Sequence, residues 1–568
     1  MRPAVSSAGL YRFSAFWRRA LAELGAWTGF TWLIAGLVAL PILAVLAHVF
    51  VPAPEVWNHL AATVLPRYLI NTAILATGVG VLVFIVGVGS AWLVVMCRFP
   101  GRRIFEWALL LPLAVPTYVI AYAYTDFLQF TGPVQTGLRE LFDWTRHDYW
   151  FPDIRSLGGA IVLLALVLYP YVYLLTRAAF LEQSACVLEV GRTLGRTPTR
   201  LLFGVAIPLA RPAIAGGTAL VLMETLNEFG AVHFFGVDTF TTGIYRTWFG
   251  LGEPVAAAQL AASLLTFVIL LVLAERWSRG RARYFHTSSR YRELPRFPLC
   301  GARAALAWFA CATPIAVGFL LPGALLLWMT LHDGDDLLGG RFIDMAGNSL
   351  ILAVVSATLA VTLALLLSYG VRLQQSGGTR FAARIAAMGD AVPGSVIAVG
   401  ILIPLGAVDQ AIHAFFRDHF GISTGLILTG TMVALVYAYV VRFLAVAYNA
   451  IEASLEKVTP SMDAASRTLG KTAGRTLRLV HAPIMRSSLL AAGILVFVDV
   501  MKELPATVIL RPFNFDTLAI RAHELASDER LAEASTASLA IVAVGIVPVI
   551  LLSRAMGRSR PGGSRPRN

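Results

Sequence analysis

The sequence predicts an all-α polytopic membrane protein with about twelve transmembrane helices in two parallel six-helix repeats. Three observations carry this. Of 568 residues, 57% are hydrophobic and 14% charged, against roughly 25% charged in ordinary soluble domains. Apolar runs of about 20 residues, the length that crosses a bilayer as a helix, recur near 28–50, 69–97, 104–127, 157–181, 212–233, 257–275, 304–331, 347–371, 383–405, 422–447, 487–510 and 536–553. A polar, arginine-bearing loop is written twice. Glu189-Val190-Gly191-Arg192-Thr193-Leu194-Gly195 precedes Pro208, and Asp463-Ala464-Ala465-Ser466-Arg467-Thr468-Leu469-Gly470 precedes Pro483, with the same glycine-to-proline interval.

The duplication extends beyond these loops. Asn71-Thr72-Ala73 is echoed by Asn348-Ser349-Leu350, Ala114-Val115-Pro116 by Ala391-Val392-Pro393, and Asn227-Glu228-Phe229-Gly230-Ala231 by Lys502-Glu503-Leu504-Pro505-Ala506. An even number of spans per copy gives both copies one orientation, so their axis runs along the membrane normal and a shared pathway lies between them. The expected organisation is a tail and first helix (1–67), a first transmembrane domain (68–273), a basic cytoplasmic linker (274–303), a seventh helix with an outer loop (304–344), a second transmembrane domain (345–553) and a basic tail (554–568).

Basic residues set the orientation. With the N-terminus inside, inner segments hold about three times the Lys and Arg of outer ones, which places both termini in the cytoplasm. The net charge of +13 is therefore a topology signal, and the chain has no soluble basic module for nucleic acid. The first apolar run is too long for a signal peptide and lacks a small-residue cleavage site, so it reads as a retained first helix. Cys97, Cys186, Cys300 and Cys311 have no metal or disulfide spacing.

Each repeated loop reads as a short helix along the membrane surface, broken at Gly195 or Gly470 because glycine tolerates backbone angles other residues resist. Glu189, Gly195 and Pro208, and Ala464, Ala465, Gly470 and Pro483, resemble the signature of the membrane subunits of binding-protein-dependent ABC importers. The first copy has Val190 and Gly191 where the family has alanines, and the second carries its acid one residue early, at Asp463. The resemblance implies the type I ABC importer fold, with Glu189, Arg192, Gly195, Arg196, Pro208, Asp463, Ala464, Arg467, Gly470, Lys471 and Pro483 on loops that dock on an ATPase. It also implies two ATPase copies and an external substrate-binding protein as partners. Gly470-Lys471-Thr472 imitates the end of a phosphate-binding loop, but Ala465 stands where its first glycine belongs. No cofactor is expected in this chain, and ATP with magnesium belongs to the partner subunits.

Acids inside a membrane are costly and mark function by default. Glu224 and Glu228 match Asp499 and Glu503 across the repeat, which suggests an acidic throat at the repeat axis, with Lys502 placed to neutralise part of it. Such acids can also satisfy polar partners between helices. Pro116 and Pro393 are expected to kink their spans and serve as hinges. Tyr118, Tyr122 and Tyr124 read first as interfacial anchors and second as ligands. His413, Asp418 and His419 read as an outer surface contact. Within the importers, residues 228–245 and 503–518 resemble most the fused permeases for ferric iron; thiamine, phosphonate and polyamine permeases share the architecture. Hard Fe³⁺ prefers oxygen ligands of the kind these acids supply. An ion-coupled secondary transporter would also use two parallel halves, but it gives no reason for two matched loops.

Overall fold

Long apolar runs become helices because a bilayer offers the backbone no other hydrogen-bond partner. The structure, a computed structural model, describes residues 25–182, 197–279, 296–334, 339–374, 376–456 and 458–558. The first half contains α1 (Ala26–His48), α2 (Leu65–Met96), α3 (Thr117–Leu128), α4 (Leu157–Glu182), α5 (Ile207–Asn227) and α6 (Pro254–Arg279). The second half contains α7 (Ala302–His332), α8 (Gly340–Leu373), α9 (Gly394–Phe420), α10 (Met432–Leu455), the surface helix α11 (Pro460–Thr468), α12 (Arg486–Met501) and α13 (Leu531–Arg558). Ten described helices are long and apolar enough to cross a membrane, and two bent pairs bring the number to 12. The only strand pairing among the described residues is a two-residue contact, Cys97–Arg98 beside Phe297–Pro298.

Several spans differ from the sequence expectation. Pro116 and Pro393 do not kink continuous helices; each stands just before one, in extended conformation, as the residue ahead of α3 or α9. Proline pushes its predecessor out of the helical region, and Val115 and Val392 are extended, with ψ of 119° and 126°. The third span is consequently two segments at 89°. The ninth begins at Gly394 and runs to Phe420, and the tenth starts only at Met432. The runs at 212–233 and 487–510 are interrupted after Asn227 and Met501, and short helices follow at Gly230–Phe234 and Pro505–Leu510.

The halves exchange their first helices. α1 packs on α8, α9 and the short helix Gly377–Ala386 of the second half, while α7 reaches α2 and α3 of the first half as well as α13. The last helices are exchanged likewise: α6 lies against α9, and α13 against the turn at Leu111–Ala114. Repeat equivalence extends to single hydrogen bonds. Asn71 Nδ2 on α2 donates to the Asp238 carbonyl (2.9 Å), and its counterpart Asn348 Nδ2 on α8 donates to the Asp516 carbonyl (3.1 Å).

At the α1–α9 crossing, Gly400 lies so close that a Cβ would stand 2.2 Å from the Pro41 carbonyl oxygen. Gly400→Leu is expected to push α1 off the second half and destabilise the protein by about 1–3 kcal/mol. Gly406→Leu on the same helix has open space around the new Cβ and should leave the thermal midpoint in detergent unchanged. Equal midpoints for the two variants would show that this crossing is not a packing constraint.

Candidate functional site

The breaks after α5 and α12 create the polar centre. A helix that restarts in mid-membrane must have the free amides of its first turn satisfied, and here glutamates do so. Glu228 Oε1 accepts from the Ala231 amide (2.8 Å) and Oε2 from the Thr117 hydroxyl (2.5 Å). Glu503 Oε1 accepts from the Ala506 amide (2.9 Å), and Oε2 from the Thr507 amide (3.1 Å) and hydroxyl (2.6 Å). Across the halves, the Gly394 amide donates to Asn227 Oδ1 (2.7 Å) and the Tyr118 hydroxyl to the Lys502 carbonyl (3.4 Å).

Around these breaks lies a cavity of about 340 Å³, shared by both halves. Glu224, Glu228, Asp499, Glu503 and Pro116 line it; Pro393 does not. Two residues absent from the sequence reading complete it, Asp390 and Arg442. Both carried a legible signal: each is a charge within a predicted apolar run. The neutralising contacts also differ from expectation. Lys502 pairs with Asp499 (2.9 Å) rather than with its neighbour Glu503, because one helical turn back brings Asp499 onto its face. Glu503 pairs with Arg442 (2.9 Å), and these side chains are only 2% and 9% exposed. Glu224 and Asp390 have no hydrogen-bond or ion-pair partner among the described residues.

Val446, Leu495 and Leu552 extend the lining along α10, α12 and α13, toward the end of the bundle where α10 leads into the second loop. On the opposite side the halves are tied together. Arg155 and Glu529 form a two-pronged ion pair with both contacts at 2.8 Å, and the Tyr122 hydroxyl meets His523 Nδ1 at 2.8 Å, with the His233 ring tilted against His523 at 5.3 Å. Tyr118, Tyr122 and Tyr124 are thus buried, not interfacial: Tyr118 lines the cavity and the Tyr124 hydroxyl donates to the Val317 carbonyl (2.5 Å). His419 bonds the Phe415 carbonyl and Asp418 pairs with Arg417, and no metal-holding group of His, Cys, Asp and Glu occurs among the described residues.

Of the first loop, Glu189, Arg192, Gly195 and Arg196 lie outside the described residues, as do Cys186 and residues 280–295 of the linker. Pro208 is in the first turn of α5, after a π turn at Leu202–Ala206. The second loop is described. α11 ends at Thr468 and is closed by Gly470, whose φ is +70°, with the Lys471 amide bonded back to the Ser466 carbonyl (3.1 Å), a Schellman cap. A matching π turn, Leu477–His481, precedes Pro483. Ala464 and Lys471 are exposed, whereas Asp463 faces inward. It accepts from Arg372 Nε (2.9 Å) and lies 2.6 Å from His481 Nε2; Arg372 in turn donates to the Leu455 and Val458 carbonyls (2.7 Å each). The early acid therefore anchors α11 to the end of α8. Met462, Ala465 and Leu469 form an exposed apolar stripe on it.

The family model described as "Binding-protein-dependent transport system inner membrane component" matches residues 83–283. The chain is 27% identical to a Fe(3+)-transport system permease protein of Haemophilus influenzae, over 91% of this chain and 96% of the relative. It is 24% identical to a ferric transport system permease protein of Actinobacillus pleuropneumoniae, over 86% and 71% respectively. A molybdenum transport system permease protein of Escherichia coli is 30% identical over 34% of this chain but 87% of its own length. Nearly a whole relative thus fits within one third of this chain, as expected of a duplicated unit. Two copies of that unit in one polypeptide, joined around a common polar cavity, make this protein a permease belonging to the binding-protein-dependent transport system inner membrane components.

Proposed function

We propose that the chain is the permease of an ATP-driven importer for ferric iron, which an external binding protein delivers to the cavity between the halves. The observation that carries this reading is the pair of carboxylates that make no direct hydrogen bond or ion pair among the described residues, Glu224 and Asp390, in a cavity that also holds Glu228, Asp499 and Glu503. Hard trivalent iron favours oxygen donors, and an unpaired carboxylate in a membrane interior is costly unless a cation or water meets it. The similarity to ferric permeases over most of the chain supports the same cargo.

ATP is hydrolysed on separate subunits, two per permease, that grip the loops at 187–207 and 462–482. The exposed stripe of Met462, Ala465 and Leu469 suits a groove that receives a short helix. Both termini and both loops are cytoplasmic, so the cavity opens inward at rest. Closure of the ATPases draws the loops together and rocks the halves apart on the outer side, at Arg155–Glu529 and Tyr122–His523. Hydrolysis resets the inward-open state. The experiment is uptake of radioactive ferric iron, thiamine and a phosphonate by iron-limited cells with and without the chain. Loss of iron uptake alone is expected, and Glu224→Gln should reduce it at least about tenfold. Intact iron uptake with loss of another cargo would overturn the iron reading.

A further inference from the structure

We infer that Lys502 is a tethered counter-cation: in the resting cavity its ammonium occupies a place that the cationic cargo takes over, and its return to Asp499 expels the cargo. This rests on the cation-import reading above.

The two basic residues of the cavity are held differently. Arg442 is fixed. Its partner Glu503 is 2% exposed and is itself bound by the Ala506 amide and by the Thr507 amide and hydroxyl, so withdrawing Arg442 would strand a buried carboxylate. Lys502 is not so fixed. Its Nζ bonds Asp499 Oδ1 at 2.9 Å, both side chains are 29% exposed, and both face the cavity. Lysine presents a compact charge on a flexible four-carbon stem, so it can leave Asp499 without breaking a backbone contact. The charges around it are Asp499 and Glu224, with the Tyr171 hydroxyl beside them.

The repeat shows what this lysine adds. Asp499 and Lys502 correspond to Glu224 and Asn227 in the first half. The first half therefore offers a carboxylate with no ion-pair partner, and the second offers the same carboxylate already covered. A pathway that binds too tightly cannot release its ion. Five carboxylates with Arg442 alone would hold a trivalent cation strongly; an ammonium competing for Asp499 lowers that affinity at the point where release is required.

The test uses the full chain in lipid nanodiscs, with terbium(III) as a hard trivalent probe and molybdate as an oxyanion probe. Lys502→Asn installs the residue of the first half and is compared with Lys502→Arg, which keeps the charge. Removing one positive charge within a few ångströms of the ion is expected to tighten terbium binding at least about tenfold. Lys502→Arg should behave as the native chain, and with the ATPase and binding protein present Lys502→Asn should lower both KM and kcat for uptake. Terbium binding by Lys502→Asn no tighter than native overturns the displacement; if both bind terbium, the cation reading stands. Molybdate binding by the native chain that Lys502→Asn abolishes overturns both, since the lysine would then be a ligand for an anionic cargo.

Discussion

Arg442→Met is expected to destabilise the protein by about 3–5 kcal/mol, because it leaves the Glu503 carboxylate buried without its counter-charge. Glu503 cannot move to solvent, since three further hydrogen bonds make it the start of the short helix Pro505–Leu510. The loss should appear as a large drop in thermal midpoint in detergent. The double variant Arg442→Met with Glu503→Gln should recover most of it, because a neutral amide no longer demands a charge while its carbonyl still accepts from the Ala506 amide. A double variant as unstable as Arg442→Met alone would mean that Arg442 serves mainly Glu224, Asp390 and Asp499, the other acids around it.

The sequence carried the architecture because the features that determine it are local and repeated. Apolar length forces helices, and the matched pairs Asn71 and Asn348, or Glu228 and Glu503, occupy corresponding places since each copy solves the same hydrogen-bonding problem. What periodicity could not reveal was where a span stops. The breaks after Asn227 and Met501 depend on glutamate side chains folding back on amides three and four residues ahead, a polar solution inside an apolar run. Glu224, Glu228, Asp499 and Glu503 were legible as a set from the repeat, whereas Arg442 and Asp390 lack counterparts in the first half: their aligned positions there are apolar. Asymmetry is the part that a repeat alignment hides. The role of Asp463 was hidden for another reason. Its partners Arg372 and His481 lie 91 and 18 residues away, and only the fold brings them to one carboxylate.

Gly470→Val is expected to leave the chain inserted and folded but to abolish most of the coupling between ATP hydrolysis and transport. Gly470 has a φ of +70°, and no heavy atom lies within 4 Å of the position its Cβ would take. The penalty is thus conformational, about 1–2 kcal/mol for a side chain forced into the left-handed region, enough to unwind the Schellman cap but not to displace neighbours. Gly470→Asn, which tolerates that region, should retain coupling although it is larger than alanine, and this order separates strain from bulk. The unwinding stays local because the other end of α11 is held at Asp463. Burial works against the charge there, but the hydrogen bonds from Arg372 and His481 outweigh it and hold the Asp463 carboxyl below the usual carboxylate range. A carboxyl depressed in the folded state stabilises it above the unfolded pKa, and that contribution is lost as pH falls through the lower folded value. Coupling in the native chain should therefore be insensitive to pH around neutrality and through mild acid, while Asp463→Asn should weaken it at every pH. Transport-coupled ATPase activity in proteoliposomes reads both effects. Unchanged coupling in Gly470→Val would mean that this loop, despite its exposed apolar stripe, does not transmit the motion of the ATPase.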